Sequence, residues 1–425
     1  MIQLFGCINA TVWLQFGMNQ EPANPFIFGQ VLGPAAAFCP RPQLANTIRE
    51  ISESRQRLVL LGDRRMGKTS LVEHTLANGE NLLLAVDLLG LASVEDFMDR
   101  VLARLESMLS SRHPLTRHLP PAMKEAMAAV SSLRLNLPFV QVEAKPTKAS
   151  TVMQVMGLLA SVSQWKPLTV FFDEFQEIVD RLDEKSSSHL LGVLRGEMQR
   201  HNRIAYLFAG SARNSLTDLF TATKSPFYQS ARLLDVGPIP RPDMARFITD
   251  QFATGGRKLD ESVLAAFFSL AGDNPNDLQQ FAYHLWARSF PGALGLAELR
   301  TALITLLAEI GRAGERVIED ATPSQRRVLF ALALGEDERE VFGNEFLELS
   351  GLKTHQAVNK AITPFLHGGI AVLDKQGGKV RFRERFMRLW VLSRVLRNPR
   401  LLPTGTGREG QWVQIVRPHL SGLLQ

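Results

Sequence analysis

Short apolar runs separated by amphipathic stretches set the pattern of the first half of the chain. Leu58–Leu61, Leu82–Leu88, Leu168–Phe172, Ile204–Ala209 and, more weakly, Leu233–Val236 are runs of strand length. Between them, Gln43–Ser54, Ser70–Ala77, Val94 to about Leu109 and Val152–Ser163 repeat their apolar residues at helical spacing. A strand that is apolar at nearly every position is covered on both faces. Alternation with helices therefore predicts a parallel sheet between helical layers, an α/β architecture. Asn24 to Arg41, rich in Pro, Gly and Ala, reads as an irregular lead-in. Residues from about Ser131 to Ser150 are mixed, with a short hairpin insertion expected at Phe139–Val142.

The pattern changes at Pro238, Pro240 and Pro242. From Asp243 to about Glu319 it is wholly helical, with no strand candidate. After Pro323 a third pattern appears. Helices are expected at Gln325–Leu334, Glu345–Leu349 and Thr354–Leu366, with a tight turn at Ser350-Gly351-Leu352 and a cap at Gly368-Gly369. Ile370–Leu373 and Val380–Phe382 then form a hairpin across Asp374–Lys379. This order of helices and hairpin is that of an α+β winged-helix domain.

A chain of 425 residues exceeds one ordinary core, and 45% hydrophobic with 21% charged residues describes a soluble globular protein. No apolar run reaches the eighteen or so residues that a membrane-spanning helix needs. Cys7 and Cys39 give neither a disulfide framework nor metal-ligand spacing, which fits a cytoplasmic protein. Met1 to Gly17 carries no charge and lacks the basic start of a secretory signal; it reads as a loose tail or a mis-assigned start before Met18. The tail after Pro403 reads as poorly ordered. The net charge of +6 is uneven: from Ala321 onward there are 16 Lys and Arg against 9 Asp and Glu, and before it 32 against 33. A local basic excess attracts polyanions, nucleic acid first, or is simply a solvated surface.

Candidate chemistry sits at the ends of the apolar runs. Gly62-Asp63-Arg64-Arg65-Met66-Gly67-Lys68-Thr69 matches G-x-x-x-x-G-K-[ST], follows a strand and opens a helix that includes Ser70. The glycines let backbone N–H groups face a phosphate, and the helix start adds its positive end. Lys68 is placed for the β- and γ-phosphates of ATP, and the Thr69 hydroxyl for Mg²⁺. Leu168–Phe172 delivers Asp173 and Glu174 at its C-terminal end, where open α/β sheets bind ligands. Asp173 is the second candidate for Mg²⁺, and Glu174 the candidate that orients and polarises an attacking water. After the next strand comes Gly210-Ser211-Ala212-Arg213, where Ser211 can reach the γ-phosphate or the water. Arg213 and Arg232 are candidates for charge compensation in the transition state.

Phe38-Cys39-Pro40-Arg41, the phosphate loop through Ser70-Leu71, Phe172-Asp173-Glu174-Phe175-Gln176 and Ala209-Gly210-Ser211 together resemble the archaeal-type AAA ATPase family. That family lies near the STAND signalling ATPases and the archaeal replication initiators. The resemblance runs from about Asn24 to Val395, and Leu389-Trp390 is similar to the family's closing segment. It implies a P-loop ATPase core at 24–236, a helical lid at 237–320 and a winged helix at 321–400, flanked by tails at 1–23 and 401–425. Ala271-Gly272-Asp273-Asn274-Pro275 is similar to the lid's Gly-x-Pro element, which implies that Pro275 packs near the adenine. Relatives often have Gly-Arg where this chain has Ser230-Ala231-Arg232, and initiators tend to have an arginine where it has Asn274-Pro275. The second departure moves the resemblance toward the STAND side.

The expected function is an ATP-hydrolysing switch, slow or stimulated by a partner. It would couple nucleotide state to the position of the winged helix and to a protein partner or self-oligomer. The alternative is a DNA-binding ATPase of loader, transposition or defence type. For DNA, Thr354, His355, Gln356, Asn359 and Lys360 fall on the exposed side of their helix, and Lys375, Lys379, Arg381 and Arg383 line the wing. Lys379, Arg381, Arg383 and Arg385 share one face if the strand persists that far, while Glu336-Asp337-Glu338 could neutralise them.

Overall fold

A computed structural model of the chain describes residues 22–110, 148–210, 213–334, 339–341, 343–367, 372–376 and 379–397. The chain forms two compact units. One comprises residues 27–244 and 271–280, and the other the segment ending at Phe26, residues 245–270 and residues from Phe281 on. The hairpin expected at Phe139–Val142 and the acidic run Glu336-Asp337-Glu338 lie outside the described residues, as do both expected terminal tails almost entirely. Among the described residues no helix is long and apolar enough to cross a membrane.

The first unit is built on β1 (Arg57–Leu61), β2 (Leu82–Asp87), β3 (Leu168–Asp173), β4 (Ile204–Gly210) and β5 (Arg232–Asp235), in the order β2-β3-β4-β1-β5. Every pairing in this sheet is parallel. Side chains alternate between two cores. Val59, Val170, Phe172, Tyr206 and Phe208 pack with helices Val94–Ser110, Lys148–Trp165 and Glu184–Arg200. Leu58, Leu60, Phe171, Leu207 and Ala209 pack with Pro42–Glu53 and Lys68–Leu76. Burial of both faces is why these strands read as unbroken apolar runs. β4 lies between β1 and β3, with Leu61 opposite Gly210 and Phe172 opposite Phe208, so the C-terminal ends of all three share one edge.

In the second unit the wholly helical expectation fails at two places. β6 (Arg257–Leu259) and β7 (Gly292–Leu294) form a small parallel sheet. Strands this short show no period, and Arg257 occupies a core position where an apolar residue would be expected. Its guanidinium lies 4.1 Å from the Trp286 ring centroid and donates to the Ser289 carbonyl at 2.8 Å. Left-handed glycines at Gly256 (φ 67°) and Gly292 (φ 137°) set the turns.

The C-terminal part of this unit is a winged helix. Helix Pro323–Leu334 opens on a capping box: the Thr322 N–H donates to Gln325 Oε1 (2.7 Å), and the Gln325 N–H to Thr322 Oγ1 (3.4 Å). Helices Asn344–Ser350 and His355–His367 follow, separated by Gly351 in the left-handed region. β8 (Arg339–Glu340), β9 (Leu373–Gln376) and β10 (Lys379–Phe382) form an antiparallel sheet in the order β8-β10-β9. The hairpin differs from expectation in that Asp374–Gln376 are paired strand, and β8 carried no sequence signal at two residues. β10 ends at Phe382, so the basic row does not continue in one strand to Arg385, which instead opens helix Arg385–Arg397. That helix seats Trp390 against Gly311 and Gly314 of helix Leu296–Asp320, where an added Cβ would come within 2.5 Å of the indole.

Candidate functional site

β1 ends at Leu61 and hands the chain to a loop with little steric freedom. A Cβ on Gly62 would strike the Val236 carbonyl. Arg65 (φ 64°) and Gly67 (φ 78°) both take left-handed conformations immediately before helix Lys68–Leu76. The loop therefore closes on the N-terminal end of that helix, an arrangement suited to anions. Lys68 is buried, and its Nζ donates to the carbonyls of Gly62 at 2.8 Å and Asp63 at 3.0 Å.

The second half of the site arrives from β3. The Thr69 hydroxyl donates to Asp173 Oδ2, across 104 positions of sequence. Burial pushes the Asp173 carboxyl up to about 6; Glu174 pushes it the same way, while the Thr69 hydrogen bond and Lys68 oppose the shift. A hydroxyl and a carboxylate brought together, both hard oxygen donors, fit the way Mg²⁺ is held, by few protein groups plus phosphate and water. Among the described residues no cluster of three or more His, Cys, Asp or Glu could cage a metal by itself. The Glu174 backbone N–H donates to Asp173 Oδ1 at 3.0 Å, and its side chain accepts from Gln176 Nε2 at 2.6 Å.

These groups open onto a cavity of about 320 Å³. Its lining combines polar side chains, Lys68, Thr69, Asp173 and Glu174, with apolar ones, Phe28, Ile239, Met244 and Pro275. Such a combination suits a ligand with a charged tail and a flat apolar body. Cys39 also lines it, but burial pushes its thiol up to about 11, with Asp243 adding to the rise and Arg41 opposing it. It is therefore an unreactive thiol.

Of the expected nucleotide residues, Arg65, Met66, Gly67, Lys68, Thr69, Ser70, Asp173, Glu174 and Pro275 line this cavity. Gly62, Asp63 and Arg64, the start of the same loop, do not line it, though the Gly62 and Asp63 carbonyls accept from Lys68. Ser211 lies outside the described residues, and Arg213 opens helix Arg213–Thr221 with its side chain likewise outside them. Arg232 is not brought to the site. It starts β5 level with Leu58, whereas the phosphate loop leaves the other end of β1, and its guanidinium is 4.0 Å from Glu50.

Sequence reasoning missed the residues that hold the site together. Buried Arg41 donates to the carbonyls of Met66 (3.0 Å) and Gly237. The lead-in expected to be irregular is pinned where Leu32 N–H donates to Ser70 Oγ (3.0 Å) and Gly29 N–H to Asn276 Oδ1 (2.9 Å). Only the string Phe38-Cys39-Pro40-Arg41 hinted at such a role.

In the second unit, Thr354, His355, Gln356, Asn359 and Lys360 are exposed. Lys379 and Arg381 alternate with buried Val380 and Phe382, and so occupy the outer face of β10. Lys375 pairs with Val380 in the sheet, its side chain lying outside the described residues. Arg383 pairs with Asp374 at 3.1 Å and donates to the carbonyls of Leu373 and Leu366. Arg385 donates to the carbonyls of Leu270 and Ser269.

No protein-family model and no curated protein matches the chain. Among solved structures, a Walker-type ATPase of Pyrococcus abyssi is 19% identical, with 83% of this chain and 96% of that one covered and a TM-score of 0.55. The ORC2 protein of Aeropyrum pernix, in ADPNP–ADP complexes, is 11% identical over 89% of this chain and 98% of its own, with a TM-score of 0.49. The ORC1 protein of Aeropyrum pernix in complex with DNA is 15% identical over 87% and 97%, with a TM-score of 0.44. The first shows that this chain shares the fold of a Walker-type ATPase; the other two likenesses are too loose to carry an argument.

Proposed function

We propose that this chain is a cytoplasmic ATPase switch. It binds ATP with Mg²⁺, hydrolyses it, and uses the nucleotide state to reposition a C-terminal winged helix for a protein partner or for further copies of itself. The observation that carries the reading is the meeting of Thr69 with Asp173 beside a phosphate loop, with Glu174 next in sequence. Lys68 would exchange its two carbonyl partners for phosphate oxygens, a stronger charge-assisted contact. Thr69 and Asp173 would hold Mg²⁺, whose charge neutralises the phosphates. Glu174 would accept a hydrogen bond from the attacking water and orient it in line. The strand β4 between the phosphate-loop strand and the Asp173 strand argues against a small-molecule kinase, in which that intervening strand would be missing. The fold shared with a Walker-type ATPase supports the same reading.

Titration with a fluorescent ATP analogue and a phosphate-release assay test it directly. Lys68→Ala should abolish binding or hydrolysis, and undiminished affinity and turnover in that variant would refute the site.

A second reading, a DNA-binding ATPase, is favoured by one observation: Lys379 and Arg381 stand on the outer face of β10, in a C-terminal region with 16 basic and 9 acidic residues. DNA affinity that falls steeply with salt would support it over the protein switch.

A further inference from the structure

Glu174 follows β3 with a φ of 50°, in the left-handed region that a residue with a Cβ rarely adopts. A carboxylate on such a turn stays in place only if the turn is fixed from both sides. On one side the Phe175 N–H donates to the Ala209 carbonyl at 2.9 Å. The Phe175 ring is fully buried, with centroids 4.7 Å from Phe208 and 5.7 Å from Phe227. On the other side the Glu177 N–H donates back to the Glu174 carbonyl at 2.9 Å.

Gln176 completes the turn, and its chemistry is out of keeping with a purely structural role. Its side chain is 2% exposed. Nε2 donates to Glu174 Oε2 at 2.6 Å, while Oε1 is buried among described residues with no partner. The neighbour across from it is Gly210, where any Cβ would collide with that Oε1. A buried acceptor without a donor is costly, and an apolar side chain of the same length would avoid the cost. What the amide alone supplies is a donor to one oxygen of Glu174. That hydrogen bond restrains the rotation of the carboxylate.

We propose that Gln176 is the positioning residue of the hydrolytic site: its amide fixes the orientation of the Glu174 carboxylate toward the attacking water. This rests on the ATPase reading above and adds to it the group that directs the base.

The test uses the full chain and Gln176→Met, which keeps length and apolar volume but has no donor. The expected result is a turnover about tenfold to a hundredfold lower, as for a misplaced catalytic group. Affinity for a fluorescent ATP analogue should stay within about twofold, and the melting temperature should hold or rise, since the unpaired acceptor is gone. A merely structural role would lower the melting temperature and affinity together. Gln176→Asn, too short to reach, should lose turnover similarly and guards against a folding failure of the first variant. Combining Gln176→Met with Glu174→Gln should cost nothing beyond Glu174→Gln alone, because Gln176 acts through that carboxylate. Unchanged turnover in Gln176→Met, or independent losses that multiply in the double variant, would overturn the proposal. A parent chain that binds ATP without hydrolysing it overturns the ATPase reading itself, and is told apart by the absence of any Glu174→Gln effect.

Discussion

The phosphate loop and the wing are both basic segments beside tight turns, yet their cations end in opposite situations. Lys68 lines a cavity at the start of a helix, held on two backbone carbonyls that a phosphate can replace. Arg383 closes its own hairpin through Asp374 and two carbonyls, and Arg385 is bound to Leu270 and Ser269. The carboxylates differ in the same way. Asp173, partly buried at the cavity, has its carboxyl pushed up by desolvation, whereas Asp374 is held in an ion pair with Arg383. One region keeps charge poised for a ligand at a cost in stability, and the other uses much of its charge to hold the fold. Counting charges along a sequence does not separate these cases.

The largest effect expected is at the site itself. Glu174→Gln should keep ATP binding but slow hydrolysis roughly a hundredfold or more, as when a water-positioning base is lost. Equilibrium binding together with single-turnover hydrolysis checks it; parental turnover, or lost binding, would remove Glu174 from its role.

Next comes the stability contrast between the two aspartates. The folded value for Asp173 is about 6, above the roughly 3.9 of an unfolded aspartate. Between about pH 4 and pH 6 the folded state therefore holds a proton that the unfolded chain has released, so this group's contribution falls as pH rises through that window. In metal-free and nucleotide-free protein, Asp173→Asn should raise stability at pH 7.5 by on the order of 1–2 kcal/mol, with the gain fading toward pH 4. Asp374→Asn should act in the opposite sense, lowering stability by about 0.5–1 kcal/mol at pH 7.5. Urea melts at both pH values measure the pair, and two changes of the same sign would dissolve the contrast.

A smaller effect is expected on DNA. If the wing binds phosphates, Lys379→Ala with Arg381→Ala should flatten the dependence of log affinity on log salt by about 2, one unit for each phosphate no longer neutralised. Arg383→Ala should weaken the fold and leave that slope alone. A low-salt titration without DNA binding, with and without ATP, leaves the protein-partner reading.

The smallest is at Arg232, in a 4.0 Å pair with Glu50 in which both side chains are exposed. Arg232→Ala should change stability by less than about 0.5 kcal/mol and leave turnover unaltered. A clear fall in turnover would return Arg232 to the catalytic set.

Contiguous signals were legible in the amino-acid sequence by itself. β1, β3 and β4 were visible because both-face burial demands unbroken apolar runs, whereas the mostly exposed edge strand β5 gave only a weak signal. The phosphate loop and Asp173-Glu174 were visible because their residue types sit in consecutive positions. The first three helices of the winged domain were visible through their period, whereas helix Arg385–Arg397 was not expected and the cap expected at Gly368-Gly369 lies outside the described residues. Tertiary structure alone decided that Thr69 meets Asp173 and that the lead-in is pinned to Ser70 and Asn276. It also decided that Arg257 is a core residue, that Gln176 directs its side-chain amide at Glu174, and that Arg383 is consumed by the hairpin. The reason is physical. Local spacing records which face of an element is buried, but strand order and the partner of a polar group depend on residues far away in the chain. Whether a charge is spent or poised is fixed only when those residues meet.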